Sequence, residues 1–330
     1  MNTQVDQVFE TPHGKYLVDP YQDWAVAEGV PIHTGAAIDL CAVETRPWAR
    51  FGVDGAMCHL DGRDDFLTLF VFDLAPGAAS APSKHLYEEM FYVLAGHGTA
   101  EIEMPGGDLK TLEWGPRTLF SQPMNATMRI RNTSGERARI ASVNDFRYLM
   151  SLYRSPTFLF ATSLEFPERA TGALSRDCAA PFAPGLLRNG EAATPVLLAN
   201  GSIGADLREI AAGHYVRAQR QMFGSLLLGV SGEGMTLSWE EDPSDAVKTL
   251  WRHGVAFAPA GLQFHQHFNI GAGPARFLTI ELGSVAAPMF RPRRKNYGDT
   301  EVYAACSAVI ERSEQDPAIE TAWKALLAGK

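Results

Sequence analysis

The sequence predicts an all-β protein built from two similar units in tandem, with short helices near its two ends. Three observations carry this. Most of the chain reads as short β-branched or aromatic runs bounded by Gly, Pro or Asn, the pattern of a sandwich or barrel. The pattern then recurs: Gly77 and Gly96 find Gly213 and Gly232 136 residues later, and Asn132 finds Asn269 at 137. Helical signals appear only near the ends.

In the first unit the strands expected are 66–74, 88–96, 99–104, 127–132 and 138–143; in the second they are 225–232, 234–239, 255–260 and 275–282. "LAGHGTAEIEM" and "VSGEGMTLSW" align at the same offset, with one inserted residue between the two glycines and the asparagine. A repeat of this length is a domain duplication. "YQDWAVAEGV" (21–30) reads as a short helix. Near the C-terminus Asp316 caps, Pro317 suits a first turn, and Ile319, Trp323, Leu326 and Leu327 share a face that docks on a barrel. The stretch 155–205, rich in Ala, Pro and Gly, shows no sustained period and reads as a connector over the surface. The expected layout is an N-terminal extension (1–50), a first unit (51–155), a linker (156–205), a second unit (206–290) and a basic loop with a helix (291–330).

Composition narrows the function. The 330 residues are 46% hydrophobic, enough for two domains, and carry a formal charge of -9 without a long basic stretch. That argues against nucleic acid as a partner. The one basic cluster, Arg291 to Lys295, reads as a solvated loop, with an anion grip as the alternative. The start has no apolar signal core, and no run is long enough to span a membrane as a helix. Cys41, Cys58, Cys178 and Cys306 lie far apart with no CxxC pair. These features lead to the expectation of a cytoplasmic protein.

His85 and Glu89, four residues apart and leading into "EMFYVLAG", have the look of half a metal site. The glycine framework around them resembles the cupin motifs G-x5-H-x-H-x3-E-x6-G and G-x5-P-x-G-x2-H-x3-N, and the duplication resembles a bicupin. That resemblance spans about residues 20–285 and implies two jelly-roll barrels. It also implies that the motif histidines and glutamate point inward, as residues two apart on a strand do. In the first unit Gly77, Ser83, His85, Glu89 and Gly96 follow the first motif; Pro123, Asn125, Met128 and Asn132 follow the second. Ser83 and Met128 thus stand where two of the four ligands belong, and a thioether suits copper(I) best. In the second unit the positions are Gly213, Gln219, Gln221, Ser225 and Gly232, then Gly254, His265 and Asn269, with His267 on the same face as His265.

The resemblance leans toward an enzyme of small-molecule metabolism, because cupins host dioxygenases, decarboxylases, isomerases, lyases and binding proteins on one fold. In the first reading, one divalent metal per chain (iron, zinc, manganese, nickel or copper) activates a small organic acid or aromatic metabolite. His85 and Glu89, or His265, would hold it as metal ligands. In the second no metal is bound, and His85 with Glu89 moves a proton in an isomerase, lyase or cyclase. The third is a non-catalytic binding bicupin. In each, Ser83, Met128, Gln219, Gln221, His265 and His267 are the candidate substrate-binding groups, and the uncharged set in the second unit suits an anion such as a carboxylate. Arg129 and Arg131, alternating with Met128, are expected to face outward. The partners expected are a small molecule and, through outer jelly-roll faces, a second copy of the chain.

Overall fold

The structure, a computed structural model, describes residues 8–11, 14–17, 20–61, 67–164, 172–180, 186–188, 191–199, 202–220, 225–282 and 308–328. Gln221, Cys306 and the basic cluster at 291–295 lie outside them. The described chain is mostly strand and forms two barrels, each closed by a large and a small sheet.

In barrel one the small sheet has the order Leu109–Trp114, Gly98–Glu103, Thr127–Asn132. The large sheet runs Ser175–Asp177, Thr118–Gln122, Glu89–Ala95, Ala138–Asn144, Thr68–Leu74, Val53–Leu60, Ile32–Gly35. In barrel two the small sheet runs Val247–Arg252, Glu233–Trp239, Phe264–Asn269, Gln219–Arg220, Ala308–Val309. Its large sheet runs Leu186–Arg188, Glu191–Val196, Ile203–Ile210, Ala275–Leu282, Leu226–Ser231, Val255–Phe257, Ala37–Asp39. Neighbouring segments therefore serve different barrels: Ile32–Gly35 pairs in parallel with barrel one, and Ala37–Asp39 closes the edge of barrel two.

The two barrels repeat each other in backbone detail. Gly77 and Gly213 both have positive φ, +72° and +70°, as do Gly96 and Gly232, +88° and +74°. A Cβ on Gly96 would lie 2.5 Å from Ala138 Cβ, and one on Gly232 2.5 Å from Pro274 O. Asn132 and Asn269 make matching clips. Each side-chain amide donates to carbonyls on both flanks, Leu74 and Glu136 in one case, Ile210 and Gly273 in the other. The second glycine of the second motif is replaced by Asn125 and Leu262, yet both keep a left-handed backbone, φ +59° and +67°.

The large sheets of the two barrels face each other. Leu69, Val71, Met90, Tyr92 and Val143 of barrel one meet Leu207, Leu226, Leu228, Leu278 and Ile280 of barrel two in one apolar core. The opposite face of barrel one holds an aromatic interior with Trp48, Phe70, Phe72, Phe91 and Phe120. Among the described residues, four short α-helices flank the barrels. The first, α1 (Pro20–Glu28), buries Tyr21 and Trp24 on barrel one. Two more, α2 (Phe146–Tyr153) and α3 (Pro156–Ala161), occupy a stretch for which no helix was expected; eight and six residues are too short to show a 3.6-residue period. The last, α4 (Pro317–Ala328), starts where expected: Asp316 Oδ1 accepts from Ala318 N at 2.8 Å, and Ile319 and Trp323 pack on barrel two beside Tyr215 and Phe268. Met128 and Ile130 are buried and alternate with exposed Arg129 and Arg131, as expected. No described helix is long and apolar enough to cross a membrane.

Leu262 is half exposed in a left-handed conformation that costs an L-residue about 1 kcal/mol or more. Leu262→Gly is therefore expected to raise the melting temperature, and Gly232→Ala, which adds a clash to the same kind of backbone, to lower it. Thermal unfolding followed by circular dichroism of both variants checks this.

Candidate functional site

The motif positions of barrel one lie together but face no open space. His85 and Glu89 are 0% and 1% exposed. His85 Nε2 lies 3.1 Å from Glu89 Oε2, and His85 Nδ1 2.8 Å from the carbonyl oxygen of Tyr87. Both imidazole nitrogens thus meet acceptors, so the pair holds a proton on the line between Nε2 and the carboxylate. Ser142 donates to the other oxygen of Glu89, and Asn144 Nδ2 donates to Ser142 Oγ at 3.0 Å. Ser83 donates to Gln122 Oε1 at 3.1 Å and is bridged to Met128 through the backbone. Above the pair, the Tyr87 ring lies flat on His85 with centroids 3.5 Å apart, and Phe160 of α3 meets both rings edge-on. Phe146 and Trp24 close the layer over them.

Barrel two has an opening in the equivalent place. Arg208, Gln219, Ser225, Leu227, Pro259, His265, His267 and Thr279 line a cavity of about 260 Å³ including its mouth, with an inner void of about 10 Å³, room for roughly one water. The duplication explains the difference. Phe72 pairs with Ile140 in barrel one as Arg208 pairs with Phe277 in barrel two, and Phe91 corresponds to Leu227. Two rings that fill the first interior are replaced by a guanidinium and a smaller aliphatic group.

Gln219 sits opposite His265 in the sheet, its Nε2 3.4 Å from His265 Nε2. His265 Nδ1 lies 3.4 Å from Gln263 O. His267 Nδ1 lies 2.8 Å from Thr236 Oγ1, which also receives Trp251 Nε1 at 3.1 Å. Ser225 donates to Glu281 Oε1 at 2.6 Å. Thr279 Oγ1 is buried without a hydrogen-bond partner among the described residues. Arg208 is nearly buried, with Asp206 Oδ2 3.7 Å from its Nη2. Burial pushes the His265 imidazole down to about 4 and that of His267 well below the ordinary range, with each other's charge and Arg208 adding to the effect on His267. Both rings are neutral at pH 7.

The fold implies a metal, so the donor sets bear on whether one fits. Among the described residues no three His, Cys, Asp or Glu side chains converge. In barrel one only His85 and Glu89 are ligand-type groups, 3.1 Å apart; Ser83 is engaged with Gln122, and the thioether Met128 holds the remaining position. In barrel two the imidazoles have no carboxylate between them and a guanidinium faces the same cavity. The described residues of neither barrel fit a divalent metal. His85 and Glu89 are together, as are Gln219, His265 and His267, but the two groups lie in separate barrels. Arg208 and Thr279 escaped the sequence reading. Their signal was present at the 136- and 137-residue offsets, where Arg208 falls on Phe72 and Thr279 on Ser142.

No protein-family model matches the sequence, and no curated protein matches it. Solved structures do. An oxalate decarboxylase studied for proton-coupled electron transfer superposes with a TM-score of 0.55 at 16% identity, over 75% of this chain and 77% of its own. A Bacillus subtilis oxalate decarboxylase with Mn(II) centres gives 0.54 at 15%, over 75% and 77%. The Lactobacillus farciminis oxalate decarboxylase in a formate complex gives 0.55 at 13%, over 76% and 87%. The fold is that of a bicupin.

Two outcomes follow. Glu89→Gln removes the charge from a buried pair and is expected to destabilise the protein by about 3 kcal/mol, read from urea unfolding. The second concerns pH. The folded pKa of His265 is depressed, so the unfolded state binds the extra proton; its contribution is complete above about pH 6.5 and is lost as pH falls toward about 4, some 3 kcal/mol in all. Asp145, buried beside Glu88 and raised to about 7, acts in the opposite direction over an overlapping range. The check is therefore the difference between the wild type and His265→Gln, with the variant gaining relative stability as pH falls from about 6.5 to about 4.

Proposed function

We propose that this bicupin acts on a small organic acid held in barrel two, without a bound metal. The observation that carries the reading is the Arg208 guanidinium, nearly buried in the wall of a cavity otherwise lined by uncharged groups, most of them polar. A cation in such a wall selects a negatively charged ligand, and a guanidinium matches a carboxylate in a two-pronged geometry. His265 and His267 are neutral, so they offer hydrogen bonds and do not spread the positive charge over the cavity. Thr279 adds a hydroxyl with no partner among the described residues. The size of the cavity favours a ligand of few atoms. The structural neighbours named for oxalate and formate point the same way. Barrel one, packed shut by rings around His85 and Glu89, serves as the rigid partner on which barrel two is built.

Isothermal titration with acetate, formate and oxalate in the presence of EDTA checks this. At least one is expected to bind the wild type, and Arg208→Met to bind it about 10- to 100-fold more weakly, the span of one lost charge-assisted hydrogen-bond contact. Binding that appears only after a divalent metal is added back would replace this reading with a metal-dependent one.

A further inference from the structure

Two imidazoles line the cavity, and the groups behind them determine which nitrogen of each carries its proton. Behind His267 stands Thr236, fully buried, with Trp251 Nε1 3.1 Å from its oxygen. An indole only donates. The hydroxyl proton of Thr236 is left for its other neighbour, His267 Nδ1 at 2.8 Å. His267 Nδ1 is then an acceptor, and the proton of the neutral ring sits on Nε2. Behind His265 the logic inverts. Its Nδ1 meets the carbonyl oxygen of Gln263, which only accepts, so Nδ1 carries the proton. Nε2 keeps its lone pair, with the Gln219 side chain beside it.

We infer that His265 and His267 are an acceptor–donor pair that shifts a proton within a small 2-oxo acid. This rests on the organic-acid reading of barrel two. A 2-oxo acid has three features that match the three groups: a carboxylate for Arg208, a carbonyl oxygen for His267 Nε2–H, and an adjacent C–H for His265 Nε2. The C–H bond breaks and its proton goes to His265. The electron pair of that bond passes through the new C=C into the carbonyl oxygen, where the charge faces His267 and Arg208. A proton, exchanged with solvent on His265, returns to the carbon, or to the oxygen as the enol. Nothing is oxidised or reduced, and no co-reactant is needed. A neutral imidazole donating to a carbonyl is an effective electrophile for enolisation. Trp251 and Thr236 are positioning residues: they touch no substrate and act by holding the proton of His267 on Nε2.

The test uses pyruvate as probe, in D2O with EDTA, and follows methyl deuteration by proton NMR; binding is measured in parallel by titration calorimetry. Wild type is expected to accelerate exchange, His265→Gln to return it to the buffer rate at unchanged affinity within a few-fold, and His267→Gln to slow it. Nitrogen-15 NMR of histidine-labelled protein is expected to show His265 protonated on Nδ1 and His267 on Nε2. Thr236→Val should remove the second preference and slow exchange without loss of affinity. Pyruvate bound through Arg208 but exchanged no faster than in His265→Gln overturns the pair, as does the reverse tautomer pattern. Failure of acetate, formate, oxalate and pyruvate all to bind overturns the organic-acid reading instead.

Discussion

The constraint from which the rest follows is that the two large sheets are buried on both faces. One face of each turns into its own barrel, and the other packs against the neighbouring barrel. In Thr68–Leu74, Leu69 and Val71 go to the interface while Phe70 and Phe72 go inside. The whole strand is buried, so its sequence shows a continuous apolar run where a half-solvated sheet would alternate. The same register in Ile203–Ile210 sends Leu207 to the interface and Arg208 inward. A one-residue slip would bury a guanidinium between the barrels and expose the interface leucine to the cavity. The apolar interface thus sets which side chains enter each barrel.

From that register the two interiors diverge by composition alone. Barrel one places rings at 70, 72, 91 and 120, and the space around His85 and Glu89 is filled. A buried imidazole and carboxylate must then satisfy each other, and they do so through one shared proton, with Tyr87 O, Ser142 and Asn144 taking the remaining valences. Barrel two has Arg208 and Leu227 at two of those positions and keeps a void. Ser225 stands where Glu89 does, and the nearest carboxylate, Glu281, is reached through the Ser225 hydroxyl. The polar interior that resulted carries fixed positive charge and neutral donors, an environment for anions.

Much of this was legible in the sequence, for reasons that differ by residue. Gly96 and Gly232 could be recognised because their backbone excludes a Cβ, so the type survives duplication. Asn132 and Asn269 were legible for a similar reason: each clips two carbonyls that only a short amide reaches. Gln219, His265 and His267 could be placed together by strand alternation on a strand with polar residues. Arg208 could not, because Ile203, Ala205 and Leu207 alternate with Gly204, Asp206 and Arg208 as in a strand with one solvated face, so the arginine reads as a surface residue. The strands Ser175–Asp177 and Glu191–Val196 were also invisible in a stretch without period: three to six residues, defined by their sheet partners, carry no signal of their own. The closure of barrel one by Phe160 depends on α3, a helix of a turn and a half.

Arg208 also connects the site to the stability of the barrel. A guanidinium this far from water loses solvation, and the Asp206 carboxylate at 3.7 Å, itself partly exposed, is one of the groups that offset the loss. His265 and His267 give it no counter-charge; they stay neutral, which avoids adding to the positive potential. On the proposed reading, an anion in the cavity meets the guanidinium beside that carboxylate. Its binding and the folding of barrel two therefore draw on the same interaction, and a bound carboxylate stabilises the folded chain by mass action. Replacing Arg208 with an apolar group of similar length would relieve the desolvation and strengthen the empty barrel, while removing what the ligand holds. On that reading the guanidinium in the cavity wall serves binding, a role that its contribution to packing does not explain.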